Sequence, residues 1–157
     1  MKRQIKKILV AVDFSSYSKA TLESAFEISR ITKSQILAIN IINQKEIESV
    51  EIAVNSKRPG SFLLTKHLSE EMGRRQLRLK ALIKGILGME KLSIKTLVGF
   101  GVPSVEILEA VDREDVDLLV FGPKGRTNLR MFLFGSVAEK LFRHCPVPVL
   151  SLRSQPE

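Results

Sequence analysis

Three glycines mark the segment FGPKGRTNLRMFLFGS (residues 121–136): Gly122, Gly125 and Gly135, the last followed by Ser136. Glycine is used where the backbone turns tightly or lies close to another group. Three cations stand between these glycines: Lys124, Arg126 and Arg130. Because cations raise the local positive potential, the segment predicts a loop whose backbone approaches an anion.

The end of this segment adds a second signal for an anion. Apolar residues follow Ser136 at helical spacing, which predicts a helix that begins there and is stopped by Pro146. A helix N-terminus offers unpaired N–H groups and about half a positive charge, which together suit a phosphate. The spacing is not that of a Walker A loop, GxxxxGK[ST].

A carboxylate provides the opposite side of the predicted site. Asp13 follows the apolar run KILVAV (residues 7–12), and a carboxylate that ends a buried strand is costly without partners. Ligands of open α/β sheets bind at the carboxyl ends of strands, where the strand order reverses. If the first and fourth strands are neighbours, Asp13 and Gly122 face each other across one crevice.

The elements that position these residues alternate along the chain. Short apolar runs predict buried parallel strands at residues 7–12, 35–42, 116–122 and 147–152, and the alternating pattern of residues 92–98 predicts a fifth strand. Helical patterns lie after Ser16, over residues 64–86, after Pro103 and after Ser136, and residues 43–60 are expected to form a loop. Five strands separated by four helices predict one α/β domain over residues 1–157, a doubly wound, open parallel five-stranded sheet with helices on both faces.

Other candidate motifs give weaker evidence of a functional site. GFGVPS (residues 99–104) begins like the dinucleotide fingerprint GxGxxG, but Ser104 stands in the place of the third glycine. His144 and Cys145 are adjacent in the chain and are not expected to face each other. The sequence shows no nucleophile with an activating partner and no positioned base. It therefore predicts a binding protein and not an enzyme, with no catalytic residue and no protein metal site.

Composition restricts the class of protein. The 157 residues are 44% hydrophobic and 27% charged, and no apolar run approaches the roughly 20 residues of a membrane span. Asp13 interrupts the N-terminal apolar run, so we expect a cytoplasmic protein without a secretory signal. The net charge of +8 is concentrated between Lys57 and Lys95. Since tryptophan is absent and there is one tyrosine, a solvated basic face is favoured over a nucleic-acid interface.

The pattern G-x2-G-x9-G-S, with its preceding aliphatic strand and the following VAEKLFRHCPVPVLSL, resembles the universal stress protein family. ILVAVDFSSYSKATLESA is similar to that family's first strand, acidic loop and first helix, and VGFGVPSVEILEAVDREDVDLLVFG to its third strand through fourth strand. The resemblance implies a strand order of 3-2-1-4-5, which makes the first and fourth strands neighbours. It leaves out residues 43–91, generally the variable part of the family.

The resemblance also implies a ligand, because family members with this complete motif bind ATP. Asp13 and the backbone of Ala11 and Val12 would meet the adenine and ribose, and Ile41 would line the adenine pocket. The phosphates, with Mg²⁺, would lie against the glycine loop and the following helix. The implied nucleotide-binding residues are Ala11, Val12, Asp13, Ile41, Gly122, Gly125, Arg126, Gly135, Ser136 and Val137.

The sequence thus predicts an ATP-binding stress-response or regulatory protein, with slow hydrolysis left open. By the resemblance, residues 147–152 are an edge strand through which two copies pair as a homodimer. Two alternatives stay open: a partner-binding module with a vestigial nucleotide site, and a nucleic-acid-associated protein that uses the basic segment over residues 57–95.

Overall fold

Five parallel strands form the sheet of the computed structural model, which describes residues 4–88, 94–123 and 135–152. The strands are β1 (Lys7–Ala11), β2 (Gln35–Asn43), β3 (Ile94–Gly101), β4 (Leu118–Phe121) and β5 (Val149–Ser151). Their order is β3-β2-β1-β4-β5, and every neighbouring pair is parallel. The predicted doubly wound sheet is therefore confirmed, with the reversal of strand order between β1 and β4.

Five helices lie in the described ranges: α1 (Ser18–Thr32), α2 (Gln44–Lys57), α3 (Leu64–Leu87), α4 (Pro103–Arg113) and α5 (Ser136–His144). The loop expected over residues 43–60 is wrong, because α2 occupies most of it. Asn43 caps this helix by accepting a hydrogen bond from the backbone N–H of Lys45 (3.1 Å). Ile47 is its one buried residue, and Val50 and Val54 beside it are half-buried. These three positions are at helical spacing, a short signal that the sequence reading passed over. No helix in the described ranges is long and apolar enough to cross a membrane.

The core has two layers because both faces of the sheet are covered. Consecutive residues of β1 point to opposite faces: Ile8 and Val10 pack beneath α1 and α3, whereas Leu9 packs beneath α4 and α5. All three side chains are fully buried. This arrangement explains why β1, β2 and β4 are nearly continuous apolar runs, whereas β3 at the sheet edge includes the exposed Lys95.

A partly buried ion-pair cluster, centred on the buried Arg75, connects the two helices between β2 and β3. Arg75 of α3 is 7% exposed, and its guanidinium donates to the carboxylates of Glu71 (2.6 Å) and of Glu46 on α2 (2.8 Å). It also reaches Oδ1 of Asn40 on β2 at 3.4 Å. Burial alone would raise the pKa of Glu71, but hydrogen bonds and charge from Arg75 and Arg74 lower that pKa below its ordinary value.

The lowered pKa of Glu71 predicts a pH-dependent contribution to stability. We expect Glu71→Gln to lower the free energy of unfolding at pH 7 by about 1–3 kcal/mol, because it leaves part of Arg75 uncompensated. The deprotonated carboxylate is favoured in the folded state, so this stabilisation is complete above a pH of about 4.5 and is lost as the pH falls further. Urea unfolding between pH 7 and pH 3 measures it.

The matched control is Glu70→Gln, which changes an exposed neighbour on the same helix. It should be close to neutral at every pH. A constant difference between Glu71→Gln and the parent across the whole range would show that the charge of Glu71 does not stabilise the fold.

Candidate functional site

A cavity of about 300 Å³ lies at the carboxyl ends of β1, β2 and β4, at the reversal of strand order. This is where open α/β sheets bind ligands. The first turns of α2, α4 and α5 close its sides, through Glu46, Pro103 and Val137. Eight of the ten residues predicted from the sequence line the cavity: Ala11, Val12, Asp13, Ile41, Gly122, Gly135, Ser136 and Val137. Gly125 and Arg126 lie outside the described residues, as do Lys124 and Arg130.

Asp13 stands at the entrance to α1 and has partners within its own turn. Its Oδ1 accepts hydrogen bonds from the backbone N–H of Ser15 (2.9 Å) and from the hydroxyl of Ser18 (3.2 Å). The carboxylate therefore organises the turn between β1 and α1, a local role that the sequence did not show. It is half-buried and also lines the cavity, so the same side chain connects the turn to the site.

The next residue has an unusual backbone. Phe14 adopts φ 60°, the left-handed region, which costs a non-glycine residue on the order of 1–3 kcal/mol. Its ring packs against the core layer beneath α1 and α3, and the guanidinium of Arg78 lies 4.2 Å from the ring centroid. These two contacts hold the strained residue, and with it the turn that begins at Asp13.

Strand β2 extends beyond its neighbour β1 at the cavity. Its pairing with β1 ends at Ile39, whereas its pairing with β3 continues to Asn43. The carbonyl of Ile39 accepts from the N–H of Val12 (2.8 Å), so the peptide groups of Ile39 point toward β1. Since this direction alternates along a strand, the N–H and C=O of Ile41 point the same way, past the last β1 pair. Ile41 thus presents one donor and one acceptor on the side where the cavity lies.

Asn40 occupies the place where the β1–β2 pairing stops. It is 1% exposed, and its Nδ2 donates to the carbonyl of Val12 at 2.7 Å. A side-chain amide thus supplies a hydrogen bond that the strand pairing no longer makes. Sequence reasoning missed Asn40, although a single asparagine inside the apolar run QILAINII was a visible signal. It also missed Glu46, because the residue fell in the predicted loop.

Gly122 and Gly135 are glycines for different reasons. A Cβ on Gly122 would lie 3.1 Å from Cβ of Tyr17, closer than an ordinary contact, so a side chain here would require a small shift between the end of β4 and the start of α1. Gly135 adopts an ordinary extended backbone (φ −71°) and is the N-cap of α5, where no side chain caps the helix. Among the residues that the structure describes, no side chain caps the first-turn N–H groups of α5 at the cavity wall.

The two ends of the cavity differ in the chemical character of their lining residues. The N-terminus of α5 provides a positive potential for an anion, while Ile39, Ile41 and Ile107 provide apolar surface for a flat group near the β2 edge. The acidic lining residues are Asp13 and Glu46.

Burial raises the pKa of the Cys145 thiol, which keeps it protonated at neutral pH. In the described ranges no three His, Cys, Asp or Glu residues cluster as metal ligands.

Comparison with known proteins agrees with this architecture. The model of the universal stress protein family matches residues 4–153. Universal stress protein MJ0531 of Methanocaldococcus jannaschii is 31% identical over 147 residues, which are 92% of this chain and 81% of that protein.

Two solved structures have the same fold. That of MJ0577 from M. jannaschii superimposes with a TM-score of 0.75 at 26% identity, covering 99% of this chain and 100% of that one. The universal stress protein from Archaeoglobus fulgidus in complex with dAMP has a TM-score of 0.56 at 17% identity, with 96% and 100% covered. The sheet order, the glycine pattern and the family match over residues 4–153 agree: the chain belongs to the universal stress protein family.

Proposed function

We propose that this protein binds ATP in the cavity and acts as a cytoplasmic stress-response or regulatory protein whose state depends on the bound nucleotide. One observation carries the proposal. The uncapped N-terminus of α5 and the open peptide edge of β2 at Ile41 both border one cavity. A nucleotide has complementary ends, an anionic phosphate chain and a planar base with a polar edge. Binding, and not turnover, is the activity that we assign.

The base end fits adenine better than guanine. The C=O of Ile41 can accept from the adenine 6-amino group, while its N–H donates to the ring nitrogen N1. Guanine presents an acceptor and a donor in the reverse order at these two positions, so both contacts would be mismatched. Pro103 and Ile107 lie in the wall of the same cavity and offer apolar surface to the base. The dAMP complex of the A. fulgidus relative supports an adenine nucleotide.

The phosphate end is formed by α5. The first-turn N–H groups of Ser136 and Val137 and the exposed hydroxyl of Ser136 can donate to phosphate oxygens. Gly135, with no side chain, leaves the backbone accessible at the start of the helix. We propose that Mg²⁺ enters with the phosphates, since this ion typically keeps water and phosphate ligands.

A charge placed at Ser136 tests the phosphate end. Asp is favourable in the first turn of a helix, so Ser136→Asp should fold at least as stably as the parent. Its carboxylate would meet the phosphates, and repulsion on the order of 2–3 kcal/mol should weaken ATP binding at least about tenfold. Ser136→Asn is the matched neutral control and should lose less than about fivefold. Calorimetric titration with ATP and Mg²⁺ measures both.

Two further ligands separate the ends of the site. Adenosine has no phosphate and should bind Ser136→Asp and Ser136→Asn alike, and GTP should compete weakly with ATP for the parent. Equal ATP affinities of the two variants would mean that the phosphates do not lie at α5. A parent that binds neither ATP nor adenosine, and releases no nucleotide when denatured after purification, would contradict the proposed function.

We also propose that two copies pair through β5. In the described chain no strand pairs with the outer side of β5. The carbonyl of Pro148 accepts from Leu119 (3.1 Å), which directs the even-numbered peptide groups toward β4. By alternation, the N–H groups of Val149 and Ser151 point to the open edge. Antiparallel pairing of this edge about a two-fold axis would satisfy them and form a closed dimer.

Proline at Ser151 tests this pairing. Ser151→Pro removes an outward N–H and keeps the hydrogen bonds of β5 to β4, so it should convert a dimer into a folded monomer. Ser151→Ala keeps the N–H and should remain dimeric. Light scattering at about 50 µM, far above a typical stable-dimer dissociation constant, distinguishes the two. A monomeric parent at that concentration would refute the dimer and leave the nucleotide site unaffected.

A further inference from the structure

Two arginines of α3 contact side chains that border Asp13: Arg75 bonds Asn40, and Arg78 lies over the ring of Phe14. Arg75 and Arg78 are one turn apart on this helix, which packs on the sheet face shared with α1. Neither lines the cavity. Arg75 acts through Asn40 on Val12, and Arg78 contacts Phe14 directly. The segment that they border, residues 12–17, is called the Asp13 loop below.

The first connection is a chain of hydrogen bonds. The guanidinium of Arg75 donates to Oδ1 of Asn40 (3.4 Å), and Nδ2 of the same amide donates to the carbonyl of Val12 (2.7 Å). The donation from Arg75 fixes which end of the amide faces Val12, because the guanidinium has no acceptor. Glu71 and Glu46 hold Arg75 in turn, so the orientation of Asn40 depends on both α2 and α3. The network is buried at its centre, where a partner is costly to lose.

The second connection acts on the strained residue. Phe14 is held at φ 60°, and the cation of Arg78 lies over the face of its ring. Without that contact, the position of the ring that goes with the left-handed backbone of Phe14 is less stable. A return of Phe14 to a relaxed backbone would rotate the peptide next to Asp13. The carboxylate of Asp13 would then leave the position in which it accepts hydrogen bonds from the N–H of Ser15 and the hydroxyl of Ser18.

We infer that Arg75 and Arg78 are positioning residues that hold the Asp13 loop in the geometry required for the nucleotide. The inference rests on the proposed ATP site for its functional consequence, while its structural part concerns the free protein. Val12 and Phe14 flank Asp13 in the chain, so the two arginines hold the carboxylate from both sides. The helix from which they act lies in residues 43–91, which the family model spans but which contain none of the sequence motifs that carry the resemblance. Variation there would tune the nucleotide affinity from outside the cavity.

The test uses the full chain and measures two quantities. Amide hydrogen exchange of Ser15 and Ser18, followed by NMR without nucleotide, reports the order of the loop. Calorimetric titration with ATP measures the dissociation constant, which shows how the order of the loop affects binding. Arg78→Leu should increase the exchange of these two amides and the ATP dissociation constant by about threefold each, the loss expected for one cation–π contact. Arg78→Lys retains the cation and should return both values to within about twofold of the parent.

The hydrogen-bond chain from Arg75 through Asn40 to Val12 is buried, so its test needs variants that keep the fold. Arg75→Lys keeps a charge near Glu46 and Glu71, but one ammonium cannot also reach Asn40, and about a fivefold change in both quantities is expected. Asn40→Leu keeps the branched shape of the side chain and breaks the same chain of hydrogen bonds at its next member. The control is Gln76→Leu, which removes the bond of Gln76 to Thr96 on β3 (2.6 Å) and so loosens α3 away from the loop. It should change neither quantity.

The outcomes separate the two proposals. If Arg78→Leu, Arg75→Lys and Asn40→Leu all leave the exchange of Ser15 and Ser18 as in the parent, the positioning role is wrong, whatever the ATP affinity. The same holds if core amides such as Leu37 and Leu79 accelerate equally, since that shows general loosening. Selective acceleration in the loop supports the inference, and if the parent then fails to bind ATP, the proposed function alone is wrong.

Discussion

The reversal of strand order between β1 and β4 determines where this protein can hold a ligand. Because the chain continues from β1 to β2 and from β4 to β5 in opposite directions, the helices after β1 and β4 lie on opposite faces of the sheet. α1 packs with α3 on one face, and α5 packs with α4 on the other. The cavity lies at the carboxyl ends of these two strands, beside the starts of the helices that lie on opposite faces. The burial of both sheet faces fixes this geometry before any ligand is considered.

The polar groups at the cavity follow from strands of unequal length. β1 stops pairing at Ala11 while β2 continues to Asn43, which leaves peptide groups of β2 beyond the end of its neighbour. Inside a protein such groups need partners. Asn40 turns its amide to the carbonyl of Val12, and the peptide groups of Ile41 face the open space beyond. A difference in strand length thus becomes a directional donor and acceptor at the site, and the side chain of Ile41 contributes only apolar surface.

The sequence predicted the parts of the fold that rest on local pattern. Continuous apolar runs identified the strands, and Pro103 and Gly135 marked two helix starts, as the structure confirms. α2 was missed because its apolar pattern is short, with Ile47 as the one buried residue, and its contacts include the Asn43 cap and the ion pair of Glu46 with Arg75. That ion pair joins residues 29 positions apart, and no local pattern encodes such a separation. The peptide direction at Ile41 was equally hidden, because it depends on the register between strands.

Asp13 shows why a site residue can be recognised without its full role being known. A carboxylate at the end of a buried strand suggested a ligand contact, whereas the structure shows it bonded to Ser15 and Ser18 in its own turn. These roles are compatible, because a carboxylate has room for more acceptor contacts than one oxygen makes with the turn. The turn bonds order Asp13 in the free protein, so less conformational entropy is lost when a ligand binds. The strain at Phe14 is the cost of that order, and the core contacts and the cation of Arg78 offset it in the free protein.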